Sequence, residues 1–361
     1  MTRRHRDVMR LLAPAKINLD LRVAPRADEG PYRGYHPLRS WMCTVGLFDT
    51  LTITRIAGST DGTQGPLVRL TCDDPALPCD GRNLVVRAGE ALGGALRSPQ
   101  PGGTARHAEG EGAIAAAVGG TRAGDVGGDG CVTDATAGLP GKPAPVSGAL
   151  SKRIPSGAGL GGGSSDGARM LLGLNRMWGA GWDRSRVAEL AAALGSDVPF
   201  FCFGPSAMCE GRGERVMPVE PPRRARFAVL LLPRLALATP LVYKRFDELR
   251  LGNQRTVADA PSFGEWAQLP APDLLARLRN DLEPAAFSLS PELGDLRAGL
   301  EATLDRPVRM SGSGSSLFTL YETMDEAMAG THVCRSRYYD VEAMAIDVAP
   351  DFVDDVNDAG G

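Results

Sequence analysis

Residues 152–168 read K-R-I-P-S-G-A-G-L-G-G-G-S-S-D-G-A, with five glycines and three serines between Pro155 and Ser165. An apolar run precedes them (Val146, Ala149, Leu150, Ile154), and Ala168, Leu171, Leu174 and Trp178 follow at helical spacing, which predicts a strand-to-helix junction. Glycine at such a junction permits positive φ and lets backbone N–H groups approach a ligand with no Cβ between them. The helix start adds unpaired donors and partial positive charge, and together these favour a phosphate.

Other readings of the same stretch are weaker. Gly157, Gly159 and Gly162 satisfy G-x-G-x-x-G, with Asp183 downstream where a dinucleotide fold carries an acid. In that fold the acid ends a second parallel strand, whereas Asp183 opens a segment with Val187, Leu190, Ala191 and Leu194 at helical spacing. No G-K-S/T follows any glycine run, so a Walker loop is absent. A flexible linker seldom stands between a strand and a helix this well marked.

A chain of 361 residues can bury a full core and is expected to form two domains. With 40 basic and 43 acidic residues it has no electrostatic footprint for nucleic acid. The apolar run Phe227–Tyr243 is broken by Pro233 and Arg234, which argues against a membrane span, and Pro14 and Lys16 interrupt any leader behind Arg3, Arg4 and Arg6. Seven cysteines, with six residues between Cys72 and Cys79 and between Cys202 and Cys209, match no common zinc spacing. They are expected to be reduced, mostly buried thiols of a cytoplasmic protein.

From Ala15 to Val23 the residues alternate strictly, placing Lys16, Asn18, Asp20 and Arg22 on the polar face of a half-buried strand. A solvated strand lysine is the ordinary reading of Lys16 alone. A turn-rich loop carries Tyr35 and His36, which could stack on and hydrogen-bond a base or simply anchor the loop. Trp41–Phe48, Asp49–Ile56 and Leu67–Cys72 read as three strands, and Arg82–Leu96 as a helix for which Asn83 is a good N-cap. Residues 97–145 contain twelve glycines and no Phe, Tyr or Trp, and are expected to form a disordered insertion. Asp197, in G-S-D-V-P-F-F, has a structural reading as the N-cap of a short turn. The prolines at 218, 221 and 222 suggest a boundary, giving domains at 1–222 and 223–349 and an acidic tail at 350–361 expected to fray. In the second domain Phe227–Leu232 is a buried strand, Thr239 and Pro240 open a helix bearing Tyr243, and S-G-S-G-S-S (Ser311–Ser316) precedes another strand.

P-A-K-I-N-L from Pro14, P-S-G-A-G-L-G-G-G-S-S from Pro155 and S-G-S-G-S-S from Ser311 stand in the order of the three motifs of the GHMP small-molecule kinases, which the chain resembles over nearly its whole length. G-Y-H at Gly34, R-N-L-V-V-R-A at Arg82, S-D-V-P-F-F at Ser196 and N-D-L-E at Asn280 make the diphosphocytidyl-methylerythritol kinase family the nearer match. The resemblance implies an α+β fold, with a ribosomal-protein-S5-like N-terminal domain and a ferredoxin-like C-terminal domain. It also implies a monomer or homodimer using ATP and Mg²⁺ on a diphosphocytidyl substrate, with no nucleic-acid or membrane partner. It places ATP on Pro155, Ser156, Gly157, Ala158, Gly159, Leu160, Gly161, Gly162, Gly163, Ser164 and Ser165, with Asn83 and Lys152 near adenine and Ser164 on the metal. It makes Asp197 and Lys16 catalytic, Tyr35, His36 and Tyr243 a frame for cytosine, and Asn18 a contact near the erythritol. A homoserine or mevalonate kinase of the same superfamily would have no use for a base clamp, and a non-catalytic relative would not need Lys16 and Asp197.

Overall fold

The protein is described by a computed structural model over residues 7–56, 65–98, 142–261 and 263–356. Most of the expected insertion, 99–141, lies outside these residues. The first sheet contains β1 (Val8–Val23), β2 (Leu38–Arg55), β3 (Val68–Cys72), β4 (Val146–Ser151), β5 (Ser206–Gly211) and β6 (Arg215–Pro218). With it go α1 (Leu84–Arg97), α2 (Gly162–Met177), α3 (Arg184–Ala192) and the short α4 (Phe200–Phe203). The second sheet has β7 (Phe227–Pro233), β8 (Arg309–Met310), β9 (Leu317–Tyr321) and β10 (Val341–Asp347) in the order β10-β7-β9-β8, all neighbours antiparallel. That is the 4-1-3-2 order of a ferredoxin-like layer. Between and after its strands lie α5 (Thr239–Glu248), the short α6 (Gln254–Ala258) and α7 (Phe263–Trp266), α8 (Ala271–Arg277), α9 (Glu283–Leu289), α10 (Pro291–Leu304) and α11 (Met324–Arg337).

The two runs expected at Trp41–Phe48 and Asp49–Ile56 are one continuous strand, β2, and β1 pairs with it antiparallel along nearly its whole length. Asp49 is not a turn residue. Its Oδ1 accepts the backbone N–H groups of Arg153 (2.5 Å) and Ile154 (2.9 Å), so β2 continues through it while its side chain holds the start of the glycine loop. On its other edge β2 carries β4 beside Thr50–Arg55 and β5 beside Leu38–Cys43. At one end of the strand pair Leu11, Leu51 and Ile53 pack on the helices through Val85, Leu92, Leu171 and Leu174. Toward the other end Ile17, Leu19, Trp41 and Val45 pack on Leu230, Phe318 and Leu320 of the second sheet. One strand pair therefore contributes to both cores, each fully buried aliphatic side chain stabilising the fold by about 1.5–3 kcal/mol.

The polar row of β1 is not solvated as an isolated strand would be. Lys16 and Asn18 are each 3% exposed and Asp20 is fully buried. The N-D-L-E segment covers the row. Leu21 N–H donates to Arg279 O (2.8 Å), Asp281 N–H to Leu21 O (2.9 Å) and Val23 N–H to the Asp281 carboxylate (3.0 Å). Burial pushes the Asp20 carboxyl upward, opposed by the Arg22 guanidinium at 2.8 Å.

The tail expected to fray instead packs on β1 as far as it is described. Phe352 lies 5.2 Å from Phe48, and Asp354 forms a buried ion pair with Arg169. The Asp354 and Asp355 carboxylates accept the N–H groups of Leu12 (2.8 Å) and Arg10 (2.7 Å). The acidic residues are what β1 needs there, because its second edge has unpaired donors and α2 presents a buried guanidinium. Asp354→Ala leaves that guanidinium without its carboxylate and should destabilise the protein by about 3–5 kcal/mol. A urea midpoint within error of the parent would contradict this assignment.

Under the glycine loop Lys152 Nζ donates to Asp166 Oδ2 at 2.8 Å and also to Asp49, all three groups being nearly excluded from solvent. Burial pushes Asp166 up to about 7, with Lys152 opposing and Asp49 adding to the rise. Burial draws Lys152 down, but the two carboxylates outweigh it and leave the ammonium raised. Asp166 thus binds its proton more tightly in the folded chain, so its stabilisation is complete below about pH 4 and is lost as the pH rises through about 7. Denaturation midpoints of the parent should fall relative to those of Asp166→Asn between about pH 4 and pH 7, whereas parallel profiles would exclude the linkage.

Candidate active site

A cleft of about 880 Å³ opens between the glycine loop, β1, the hairpin β5–β6 and α5. The loop Pro155–Gly161 leads into α2, whose N-cap is Gly161 at φ 69° with no side chain capping the first turn. The first-turn N–H groups of Gly162, Gly163 and Ser164 are left without a side-chain acceptor, as a phosphate site requires. Gly159, at φ 78°, is glycine for a different reason. A Cβ there would lie 2.3 Å from Ser311 O, so the loop is pressed against the third motif. Ser311 Oγ donates to Gly159 O (3.1 Å) and Ser316 N–H to Ala158 O (3.2 Å), which gives S-G-S-G-S-S a supporting role.

Lys16 and Asp197 meet in this cleft, with Nζ 3.7 Å from Oδ2. The ammonium also donates to Asn18 Oδ1 (2.5 Å) and Gly159 O (2.9 Å), and Asn18 Nδ2 donates to Ser40 Oγ (2.8 Å). Two of the three ammonium hydrogens are thus committed and the remaining direction faces Asp197. The capping role open to Asp197 is not used, since α4 has Pro199 at its N-cap and no side-chain cap. Its only ion pair among the described residues is with Lys16.

His36 and Tyr243 come together with ring centroids 5.1 Å apart and planes tilted by 35°. His36 Nδ1 lies 3.0 Å from Ala24 O and Nε2 lies 3.3 Å from Asp247 Oδ1 on α5, so both ring nitrogens face oxygen acceptors. Burial, with the Asp197 charge adding to it, raises the Tyr243 hydroxyl well above the usual phenol range. Because the two rings pack on each other, a base cannot stand between them and would stack on their outer side. Tyr35 stands apart at the mouth, 53% exposed, with the Arg212 guanidinium 5.0 Å over its ring.

Several expectations need correction. Asn83 is not at the cleft: its Oδ1 accepts from Val85 N–H (2.9 Å) as the N-cap of α1 and its Nδ2 donates to Pro78 O (2.8 Å), so both ends of the amide are taken. Lys152 does line the cleft, and its ammonium gives two of its three hydrogens to Asp49 and Asp166. Leu160 and Ser165 are buried behind the loop, and Ser165 Oγ has no partner, while Ser164 is half-buried and faces the cleft. Thr239 does open α5, whose N-cap is Ala238, and its hydroxyl shares a hydrogen bond with Ser313 Oγ at 2.7 Å. Asp183 caps α3 through Arg186 N–H (2.8 Å), which removes the dinucleotide reading.

Three contributors escape a reading of the sequence alone. Arg212, flanked by glycines in E-G-R-G-E, sits at a hairpin tip and lines the cleft, and that glycine pattern was its signal. Asp247 lies one helical turn after Tyr243. Asn280 donates to Met310 O and Gly312 O (both 2.8 Å), holding the third motif against β1. Among the described residues no group of three His, Cys, Asp or Glu side chains is arranged to hold a metal. The cysteines are free where described; Cys43, Cys202, Cys209 and Cys334 are buried, and burial raises the Cys43 thiol to about 12.

Residues 131–205 match the model of the GHMP kinases N terminal domain, and 258–340 that of the GHMP kinases C terminal. A 4-diphosphocytidyl-2-C-methyl-D-erythritol kinase from Synechococcus sp. (strain CC9605) is 33% identical over 327 residues, covering 86% of this chain and 87% of that protein. The crystal structure of a 4-(cytidine 5'-diphospho)-2C-methyl-D-erythritol kinase superposes with a TM-score of 0.65 at 32% identity, over 95% of this chain and all of that one. A homoserine kinase from Cytophaga hutchinsonii shares the fold at a TM-score of 0.61 and 14% identity, over 99% of this chain and 98% of that one. An uncapped helix behind a glycine loop, a lysine facing an aspartate and relatives of this similarity along both domains place the chain in the GHMP kinase superfamily, as a member of its 4-diphosphocytidyl-2-C-methyl-D-erythritol kinase family.

Proposed function

We propose that this small-molecule kinase transfers phosphate from ATP to the 2-hydroxyl of 4-diphosphocytidyl-2-C-methyl-D-erythritol, a step of non-mevalonate isoprenoid precursor synthesis. The observation that carries the reading is the position of the Lys16–Asp197 pair, in one cleft with an uncapped helix start and with the His36–Tyr243 rings. Phosphoryl transfer asks the protein mainly to position a hydroxyl in line and to neutralise charge on the moving group. The N–H groups of the loop and of the α2 start would hold the nucleotide phosphates, through charge-assisted hydrogen bonds of about 1.5–3 kcal/mol each.

Mg²⁺ would be held here by Ser164 Oγ together with substrate phosphates and water, as a loop hydroxyl holds it in other phosphoryl-transfer sites. It would neutralise charge on the phosphates. Asp197 would accept or orient the acceptor's hydroxyl proton, and Lys16 would turn its uncommitted N–H toward the phosphoryl oxygens. Asn18 holds that lysine and lies at the acceptor end. Tyr35, His36 and Tyr243 offer aromatic surface for a cytosine, each stacked face worth roughly 1–3 kcal/mol by analogy with single-stranded nucleic acids. Arg212 adds a guanidinium beside Tyr35, suited to the diphosphate bridge of the acceptor.

Asp197→Asn should retain ATP affinity and lose turnover by about two to four orders of magnitude. Near-parental turnover in an ADP-release assay would remove Asp197 from the chemistry. The same assay, run with the diphosphocytidyl alcohol, homoserine and mevalonate, should give ADP efficiently with the first alone, and equal rates would refute the assigned acceptor. His36→Ala should raise KM for the acceptor much more than KM for ATP; parallel changes would count against base recognition at that end of the cleft.

A further inference from the structure

A second cleft, of about 660 Å³, lies on the C-terminal domain and shares no lining residue with the first. Arg250, Arg279, Arg297 and Arg309 line it against two carboxylates, Asp281 and Glu283. Asp281 pairs with Arg279 (2.6 Å) and accepts Val23 N–H (3.0 Å), and Glu283 accepts Met310 N–H (2.9 Å) while burial pushes its carboxyl toward the neutral form, so Arg250 is the lining arginine left without a carboxylate among the described residues.

Two of the arginines are fixed in advance. Arg297 is held by Glu301 (2.8 Å) and Val308 O (3.1 Å), and Arg309 by Leu278 O (2.9 Å), Leu275 O (3.0 Å) and, at 3.8 Å, the same Glu301 carboxylate. Arg250 is exposed, its guanidinium has no partner among the described residues, and its backbone has φ 53°, a turn that glycine or asparagine would occupy with less strain. Leu251, Pro284 and Phe287 supply an apolar wall beside this charge.

One wall residue reaches the other site. Asn280 lines the second cleft and donates to Met310 O and Gly312 O, and a Cβ at Gly312 would lie 3.3 Å from Lys16 Nζ. We propose that the second cleft is an effector site for a phosphate-bearing small molecule with an apolar body, sensed at the catalytic lysine through Asn280 and the third motif. The Arg250 guanidinium suits a phosphate's oxygens, and the apolar wall would favour a ligand that is more than a bare anion.

Hexyl phosphate added to the full chain tests this by hydrogen exchange. Protection is expected at residues 250–253 and 279–284 with a change at 310–314, and inorganic phosphate should require concentrations about tenfold higher or more. Arg250→Gly, which suits the turn and leaves the catalytic cleft untouched, should abolish both signals without lowering the urea midpoint. Protection absent from 250–284, or confined to 157–165 and kept in Arg250→Gly, overturns the site. Protection of the cleft with no change at 310–314 overturns the effector role. None of these readouts depends on which alcohol the enzyme phosphorylates.

Discussion

A strand whose polar row is buried must find a partner for each group in it, and β1 is such a strand. Leaving a buried hydrogen-bonding group unpaired costs about 1–3 kcal/mol, and a charged one more, so Lys16, Asn18, Asp20 and Arg22 are tolerable only where complementary groups are brought to them. Apart from Arg22, which pairs with Asp20, those groups come from distant parts of the chain: Gly159 O from the glycine loop for Lys16, Ser40 from β2 for Asn18 and the Arg279 N–H for Asp20, while Ser311 from the third motif takes the Asn18 backbone N–H. The requirement is met only when the second sheet docks on the first. The strand that carries the catalytic candidate is thus also the one that joins the domains.

The glycine loop inherits its position from the same arrangement. At one end Asp49 fixes Arg153 and Ile154, in the middle Ser311 and Ser316 fix Gly159 and Ala158, and at the far end the loop becomes the first turn of α2. Conformational entropy that would otherwise be lost on binding a nucleotide is largely lost on folding, which is the usual advantage of a preorganised anion site. The third motif, itself rich in glycine and serine, acts here as a buttress whose position depends on Asn280.

Much of this was legible in the sequence because it rests on local pattern. The alternation in β1, the strand-to-helix character around Pro155, the α1 cap at Asn83 and the apolar run of β7 are all set by neighbours within a few residues. The misreadings have a common physical origin. Polar residues at Lys16 and Asn18 suggest a solvated face, Asp49 suggests a break, and the acidic residues after Pro350 suggest fraying, until groups far away in sequence satisfy each of them. Lys152 belongs to the same class, since nothing near it announces that Asp49, more than a hundred residues earlier, will claim its ammonium. The pairing of His36 with Asp247 and the seat of Arg212 over Tyr35 likewise depend on tertiary placement.

The two lysines of the glycine-loop region show how structural and chemical roles diverge in one environment. Lys152 is clamped between two buried carboxylates at hydrogen-bonding distance, with Asp166 Oδ1 left without a partner of its own. Lys16 stands 3.7 Å from Asp197, beyond a hydrogen bond, although its side chain is even less exposed than that of Lys152. A pair selected only for stability would close that gap, as Lys152 and Asp166 do at 2.8 Å. The open Lys16–Asp197 geometry, with the aspartate neither capping a helix nor fully buried, leaves oxygen lone pairs and one N–H directed into the cleft. It is the geometry that the roles proposed for these two groups, toward an alcohol and a phosphate, require.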